Sequence, residues 1–174
     1  LKSLRSQMNP HFIFNALNSV NSFIASNDER TANKYLSDFS QLMRSVLENS
    51  EEDFIPLEKE IELLELYTQL EHFRFKDKFD YQIIVNENVS INDFFIPPML
   101  LQPYIENAVW HGLRYKEEKG ELNITVASKG KDEITISIER RPFPKSDLRK
   151  LELKVKLQSN IIFVRINVKI AVLM

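Results

Sequence analysis

The sequence predicts an α+β protein in which a helical hairpin precedes a small domain of mixed helices and strands. Two observations support this fold class. Apolar residues recur at helical spacing through most of the first 74 residues. Residues 79–139 instead read as strand, helix, strand and strand, a pattern typical of helices packed on one face of an antiparallel or mixed sheet.

The first two helices are predicted over residues 1–25 and 29–48, with turn and capping residues at 26–28 between them. Pro10 predicts a bend just before His11, because proline removes a backbone donor and crowds the carbonyl four residues back. A lone hairpin cannot enclose its own apolar stripes well. We therefore expect two copies to form a homodimeric four-helix bundle. The alternative is that the hairpin packs on the rest of its own chain.

A third helix is predicted from Pro56 to about Arg74. Proline suits a first helical position, and the acidic residues that follow it suit the positive end of the helix dipole. A strand over residues 79–85 and a turn over residues 86–88 should come next.

Two prolines at positions 97 and 98 stop an apolar run, and the second is well placed to begin a helix over residues 99–111. Clean alternation then predicts an antiparallel hairpin from the segments 122–127 and 133–139. Beyond residue 139 the pattern weakens. The prolines within residues 140–144 predict that this segment cannot continue a central strand.

Composition excludes several classes of function. The 174 residues carry a net charge of −2 with acids and bases interspersed, so nothing predicts a nucleic-acid partner. The absence of cysteine excludes disulfides, thiolate zinc sites and cysteine nucleophiles. No signal peptide or membrane span is visible, and we expect a soluble cytoplasmic segment. Because the sequence starts abruptly on a helical pattern, we expect a fragment of a longer protein.

His11 has an unusual setting for a core residue, because the stretch 8–15 (MNPHFIFN) surrounds it with two asparagines, a proline and large apolar residues. A largely neutral imidazole offers a nucleophilic nitrogen without needing a strong base. Asn15 lies four residues on and so on the same helical face, where it could orient the ring or a water. The hypothesis is that His11 accepts a phosphoryl group. The structural alternative is a histidine tucked among Phe12 and Phe14.

A second group of polar residues lies on the predicted helix over 99–111. Asn107 and His111 are four residues apart and share a face, and Glu106 lies beside them. A carboxamide oxygen suits Mg²⁺, while His111 and Arg114 could contact phosphate oxygens. The alternative is that these residues only close a helix end. His72 is most simply a helical residue without a chemical role.

Both stretches resemble motifs of one family. Residues 9–15 and 97–112 resemble the phosphoacceptor and N boxes of the LytS-type sensor histidine kinases, and residues 57–61, Tyr67 and 70–75 look like the linking helix of that family. The resemblance covers roughly residues 1–139.

The resemblance implies the cytoplasmic part of a membrane-receptor kinase in a two-component system, anchored at the inner membrane by an upstream segment. It implies dimerisation and acceptor helices over residues 1–53, a linking helix over 54–78, and a Bergerat-type ATP-binding α/β sandwich over 79–174. Such a kinase uses ATP and Mg²⁺ to phosphorylate its own histidine. It then passes the phosphoryl group to an aspartate on the receiver domain of a response regulator.

Carried over by position, the resemblance makes His11 the phosphoacceptor and Asn107 the Mg²⁺ ligand. It makes Glu106 and His111 neighbours of the phosphates. By analogy with other kinase families, Asn15 would orient a water for dephosphorylating the regulator.

Two departures from the family pattern affect the nucleotide site. Trp110 stands where lysine is common, so a phosphate contact there must come from His111 or Arg114. After residue 139 the family continues with an Asp-x-Gly-x-Gly box, but here Arg140, Arg141, Pro142 and Phe143 follow, and the whole chain has three glycines. Two alternatives to an active kinase therefore stay open, a dimeric phosphotransfer scaffold without a complete ATP site and an ATP-driven clamp without kinase activity. His11 argues against the clamp.

Overall fold

The computed structural model describes residues 10–75, 78–113, 119–128, 133–141, 148–158 and 161–171. The elements in chain order are α1 (Pro10–Ala25), α2 (Glu29–Asn49), β1 (Ile55–Pro56), α3 (Leu57–Arg74), β2 (Phe79–Val85), β3 (Phe95–Ile96), α4 (Gln102–Ala108) continued by a π-helical turn (Val109–Leu113), β4 (Gly120–Ser128), β5 (Glu133–Arg141), β6 (Leu148–Gln158) and β7 (Ile161–Ala171). The α+β class is confirmed.

Helices α1 and α2 form the predicted hairpin. The turn between them contains Asn27 in the left-handed region, at φ 57°, which asparagine tolerates well. Asp28 caps α2 by accepting a hydrogen bond of 3.1 Å from the backbone N–H of Thr31. The described part of α1 begins at Pro10, so the bend predicted before His11 lies outside the described residues.

Helix α3 is largely buried, because the hairpin packs along it and the sheet contacts it from another direction, while the face that includes Glu58, Glu62 and Glu65 is exposed. The alternative in which the hairpin packs on its own chain is therefore realised. This packing buries one apolar stripe of each hairpin helix. The buried residues include Phe12 of α1 and Tyr35 and Leu42 of α2. Other large apolar residues of the hairpin remain exposed: Phe14, Leu17, Ile24, Leu36 and Leu47.

The main sheet has the strand order β2-β4-β5-β6-β7 and is mixed, as one of the predicted arrangements requires. Strand β2 pairs parallel with β4, and α4 lies in the connection between them. The remaining pairs are antiparallel. Alternate residues of β4 and β5 are buried, as a sheet with one covered face requires: Leu122, Ile124, Val126, Ile134, Ile136 and Ile138.

Strand β5 contradicts the prediction for residues 140 and 141. It continues through Arg140 and Arg141 while lying between two other strands, and Arg140 pairs with Leu122. The prolines do not interfere because they come after the last paired residue. The guanidinium of Arg140 is buried and donates a hydrogen bond of 3.4 Å to the backbone oxygen of Ala108. Residues 142–147 lie outside the described residues.

Helix α4 begins three residues later than predicted, and a buried carboxylate explains the difference. Glu60 of α3 is 1% exposed and accepts hydrogen bonds from the backbone N–H groups of Met99, at 2.8 Å, and Leu101, at 2.9 Å. Met99 takes a left-handed conformation at φ 61°, which is costly for a residue of its shape. The segment before α4 is therefore held as a turn by α3. Short strands β1 and β3, which periodicity did not predict, pair beside it.

None of the described helices combines the length and the apolar composition needed to cross a bilayer.

We expect Glu60→Ala to lower the free energy of unfolding by about 2–4 kcal/mol, because two buried backbone N–H groups lose their acceptor. Urea denaturation measures this change. Glu58→Ala is the matched control, since Glu58 is exposed in the first turn of the same helix and should contribute no more than about 1 kcal/mol. Equal losses for the two variants would contradict the role of Glu60.

Candidate functional site

The predicted acceptor His11 is the second residue of α1 and is exposed. Its imidazole ring lies against the indole of Trp110, with ring centroids 4.6 Å apart and planes inclined at 52°. The neighbouring Phe12 points the other way and packs on Tyr67 in the core, with centroids 4.7 Å apart. His11 is therefore not tucked between Phe12 and Phe14, since Phe14 is 67% exposed. The fold brings the start of α1 to the turn that follows α4.

Asn15 lies one turn after His11 and is half-buried. Its Nδ2 atom is buried and has no hydrogen-bond partner among the described residues. The side chain lines a polar cleft of about 210 Å³, together with Asn18, Ser22 and Arg74. Helix α1 therefore faces a cleft that contains a guanidinium group.

Arg74 ends α3 and connects the cleft to the aromatic group beside His11. Its Nη1 atom lies 3.1 Å from Oε1 of Glu71, whose side chain is fully buried. Its guanidinium carbon lies 4.3 Å from the ring centroid of Trp110 and 4.8 Å from that of Phe75. Both distances are typical of cation–π contacts. Arg74 is thus held by an ion pair on one side and by aromatic rings on others.

Burial raises the pKa of Glu71 to about 7, although the charge and hydrogen bond of Arg74 act in the opposite direction. The negative charge of Glu106 raises this pKa further. The pKa of Tyr67 is also raised well above its usual value, by burial first and then by Glu71 and Glu106. The charge of Glu106, a predicted site residue, therefore acts on both buried groups, Glu71 and Tyr67.

The other predicted residues are placed less fully. Asn107 is exposed near the end of α4, where its carboxamide can be reached from solvent. His111 lies in the π-helical turn, and only its backbone is described. Arg114 lies outside the described residues. Single π-helical turns are frequent at functional sites because they displace the residues that follow. His72 packs against Phe79 and Tyr81, as expected of a structural residue.

The residues present fit the Mg²⁺–phosphate end of a nucleotide better than its adenine end. The described residues contain no cluster of three or more acidic, histidine or cysteine side chains that could cage a metal ion. Mg²⁺ does not need one, because it commonly takes one or two protein ligands and keeps phosphate and water. At the adenine end, the expected glycine-rich box is replaced by the paired strand that includes Arg140.

Comparison with known proteins identifies the family. Residues 1–79 match the family model for histidine kinases. The sensor protein LytS of Staphylococcus haemolyticus is 33% identical over 138 residues, which are 79% of this chain and 23% of that protein. The chain belongs to the LytS-type sensor histidine kinases. The sensor histidine kinase YpdA of Escherichia coli is 36% identical over 130 residues, 75% of this chain and 22% of that protein.

This LytS-type chain spans less than a quarter of the length of the curated relatives that it matches. A further relative, the sensor protein LytS of Oceanobacillus iheyensis, is 36% identical over 126 residues, 72% of this chain and 21% of that protein. Among solved structures, the histidine kinase ThkA in complex with the response regulator protein TrrA gives a TM-score of 0.35 at 18% identity and covers 77% of this chain and 44% of that one. A TM-score at that level does not establish a shared fold.

Periodicity did not reveal Glu71, Arg74 and Trp110 as site residues of this LytS-type chain. Glu71 and Arg74 are three residues apart on α3 and look like an ordinary helical ion pair. The available signal was the density of apolar residues along α3, which predicts a largely buried helix and makes a carboxylate on its buried face costly unless it is paired.

Stability should fall as pH rises from about 5 to about 7. Glu60 and Glu71 have an ordinary pKa of 4.5 and a folded-state pKa of about 7, so the folded chain retains protons that the unfolded chain releases. Their stabilisation is complete below 4.5 and is lost as pH passes through about 7. Glu71→Gln should reduce the slope by up to about 1.4 kcal/mol per pH unit.

Urea denaturation at a series of pH values measures this slope. Glu62→Gln is the control, because Glu62 is exposed on the same helix. A slope that Glu71→Gln leaves at the wild-type value would exclude Glu71 as its source.

Proposed function

We propose that this chain is the acceptor and N-box part of a sensor histidine kinase, in which His11 takes the γ-phosphoryl group of ATP. The group then passes to an aspartate on the receiver domain of a response regulator. The observation that carries this proposal is the position of His11, exposed on α1 and in contact with Trp110, three residues after Asn107. Family membership supports the reaction class.

The proposed reaction needs a nucleophile and a means of holding charge. A neutral imidazole nitrogen of His11 forms a bond to the γ-phosphorus, and the bond from that phosphorus to the bridging oxygen breaks. The electron pair leaves with ADP, and the ring releases its proton from the other nitrogen. Exposure of His11 allows this approach, since the attacking nitrogen must lie in line with the leaving oxygen.

Asn107 is the residue that would hold Mg²⁺, with Glu106 half-buried beside it and His111 and Arg114 following in the chain. Bound Mg²⁺ would neutralise charge on the phosphate oxygens. The exposed carboxamide of Asn107 supports this assignment. In the same proposal, Asn15 orients a water when the regulator is dephosphorylated.

A second candidate function is a phosphotransfer scaffold that does not bind ATP by itself. The strands β5, β6 and β7 support it, because they contain no glycine where the family has glycine-rich boxes. The buried Arg140 also occupies space beneath the end of α4. In this alternative His11 receives its phosphoryl group from a partner.

The exposed apolar stripe of the hairpin supports a homodimer. Phe14, Leu17 and Ile24 follow helical spacing on α1, and Leu36 and Leu47 extend the surface on α2. A second copy would cover them in a four-helix bundle, which removes apolar surface that a monomer exposes to water.

We further propose that an upstream segment anchors the full-length protein at the cytoplasmic face of the membrane.

Acid-labile phosphate should be incorporated into the wild-type chain and not into His11→Gln, because that variant lacks the nucleophile. His72→Gln, the matched histidine control, should retain incorporation. Two donors separate the candidates: incorporation from Mg-ATP supports the kinase, and incorporation from phosphoramidate alone supports the scaffold. Incorporation from neither donor, or undiminished incorporation in His11→Gln, would contradict the acceptor role.

Replacing apolar residues of the exposed stripe should dissociate the dimer. Leu17→Glu combined with Leu36→Glu places charges in the proposed contact, and light scattering coupled to size exclusion should then show a monomer. Gln41→Glu is the control, since Gln41 is exposed on α2 but faces a different groove. A wild-type chain that is already monomeric would rule out the proposed bundle.

A further inference from the structure

The polar cleft between α1 and the end of α3 has the composition of a phosphate site, and its role is not explained by the acceptor residue alone. The described residues that line it contribute two amides, two hydroxyls, the ring of Phe23 and the guanidinium of Arg74, with no carboxylate among them. Donors of this kind recognise phosphate oxygens. We propose that Arg74 and Asn15 form a binding subsite for the oxygens of the phosphoryl group carried by His11. This inference rests on the proposed acceptor role of His11.

Asn15 contributes a donor without a partner. Its Nδ2 atom is buried and makes no hydrogen bond within the described residues, which costs about 1–3 kcal/mol for a buried polar group. The terminal torsion of asparagine is soft, so a small rotation turns this N–H toward the cleft that the side chain lines. An arriving phosphate oxygen would satisfy it.

Arg74 contributes the charge and is already held in place. Its Nη1 atom is engaged by Glu71, while its remaining N–H groups have no acceptor among the described residues. Stacking on Trp110 at 4.3 Å restricts the plane of the guanidinium. A preordered guanidinium loses little side-chain entropy when it binds an anion, and it presents a fork suited to phosphate.

Glu71 does not cancel this attraction. Its side chain is fully buried beneath Arg74 and does not line the cleft. Burial also raises its pKa to about 7, so near neutral pH it carries only part of a negative charge. The cleft therefore faces a cation that is incompletely neutralised.

The position of the cleft links it to His11. Asn15 follows His11 by one helical turn, and Trp110 contacts both the imidazole of His11 and the guanidinium of Arg74. Residues four apart on a helix are neighbours on its surface. A phosphoryl group on His11 thus lies next to the donors of the cleft.

Inorganic phosphate is the first probe, because its binding requires neither ATP nor a reactive histidine. We expect saturable shifts of the Asn15 side-chain amide and of the indole N–H of Trp110, the only tryptophan in the chain, in NMR spectra at constant ionic strength. His11→Gln should retain this binding. Shifts that never saturate would overturn the proposal.

Variants identify the donors. Removing Arg74 alone would leave Glu71 buried without its cation, so the double variant Glu71→Gln/Arg74→Gln is used, with circular dichroism to verify folding. We expect the affinity of this double variant for phosphate to be lower than that of the wild-type chain by up to about tenfold. Asn15→Ala should also weaken binding. Arg44→Gln, a change at an exposed arginine of α2, should not. Equal affinities in all of these chains would overturn the proposal.

The phosphorylated protein provides the second probe. The chain is phosphorylated with phosphoramidate, and the pKa of the phosphoryl group on His11 is read from its ³¹P shift. A neighbouring cation lowers that pKa, so it should be lower in the wild-type chain than in Glu71→Gln/Arg74→Gln. The same pKa in both would overturn the subsite. Failure of His11 to be phosphorylated would instead contradict the proposed function, and inorganic phosphate would still decide whether the cleft binds the anion.

Discussion

The buried helix α3 positions the segment around α4, and it does so through two carboxylates. Glu60 accepts the backbone N–H groups of Met99 and Leu101, and so fixes where α4 begins. Three turns later Glu71 holds Arg74, which in turn stacks on Trp110 after the end of α4. Both carboxylates are almost inaccessible to water, where an unpaired charge would be very costly. The segment around α4 is therefore tied to α3 at both ends.

The exposed and buried stripes of the hairpin explain how one sequence pattern fits two kinds of packing. Helix α1 buries Phe12, Ala16 and Phe23 against its own chain, while Phe14, Leu17 and Ile24 remain exposed. An amphipathic helix with a single partner needs one apolar stripe, and this helix has a second. Packing within the chain and pairing with another copy are therefore compatible, because they use different faces.

Periodicity predicts α2, α3 and β2 to within about one residue, because their boundaries depend on local signals such as Asp28 and Pro56. The start of α4 could not be predicted in this way, since it depends on Glu60, which is 39 residues from Met99 in the sequence. The end of β5 likewise depends on its pairing with β4. Motifs suggested His11 and Asn107 as chemical residues, but the contact between His11 and Trp110 joins residues far apart in the chain and has no local signature.

The two contacts of Trp110 differ in how readily they can break, and this difference bears on how an acceptor could move. Arg74 is largely buried and paired with Glu71, so releasing it from Trp110 would disturb a buried ion pair. His11 is exposed, and an aromatic contact of its kind is worth only about 0.5–1.5 kcal/mol. That free energy shifts a two-state population by roughly tenfold at most. The contact between His11 and Trp110 is therefore the weaker of the two, while the buried ring of Phe12 beside it holds the start of α1 on its own chain.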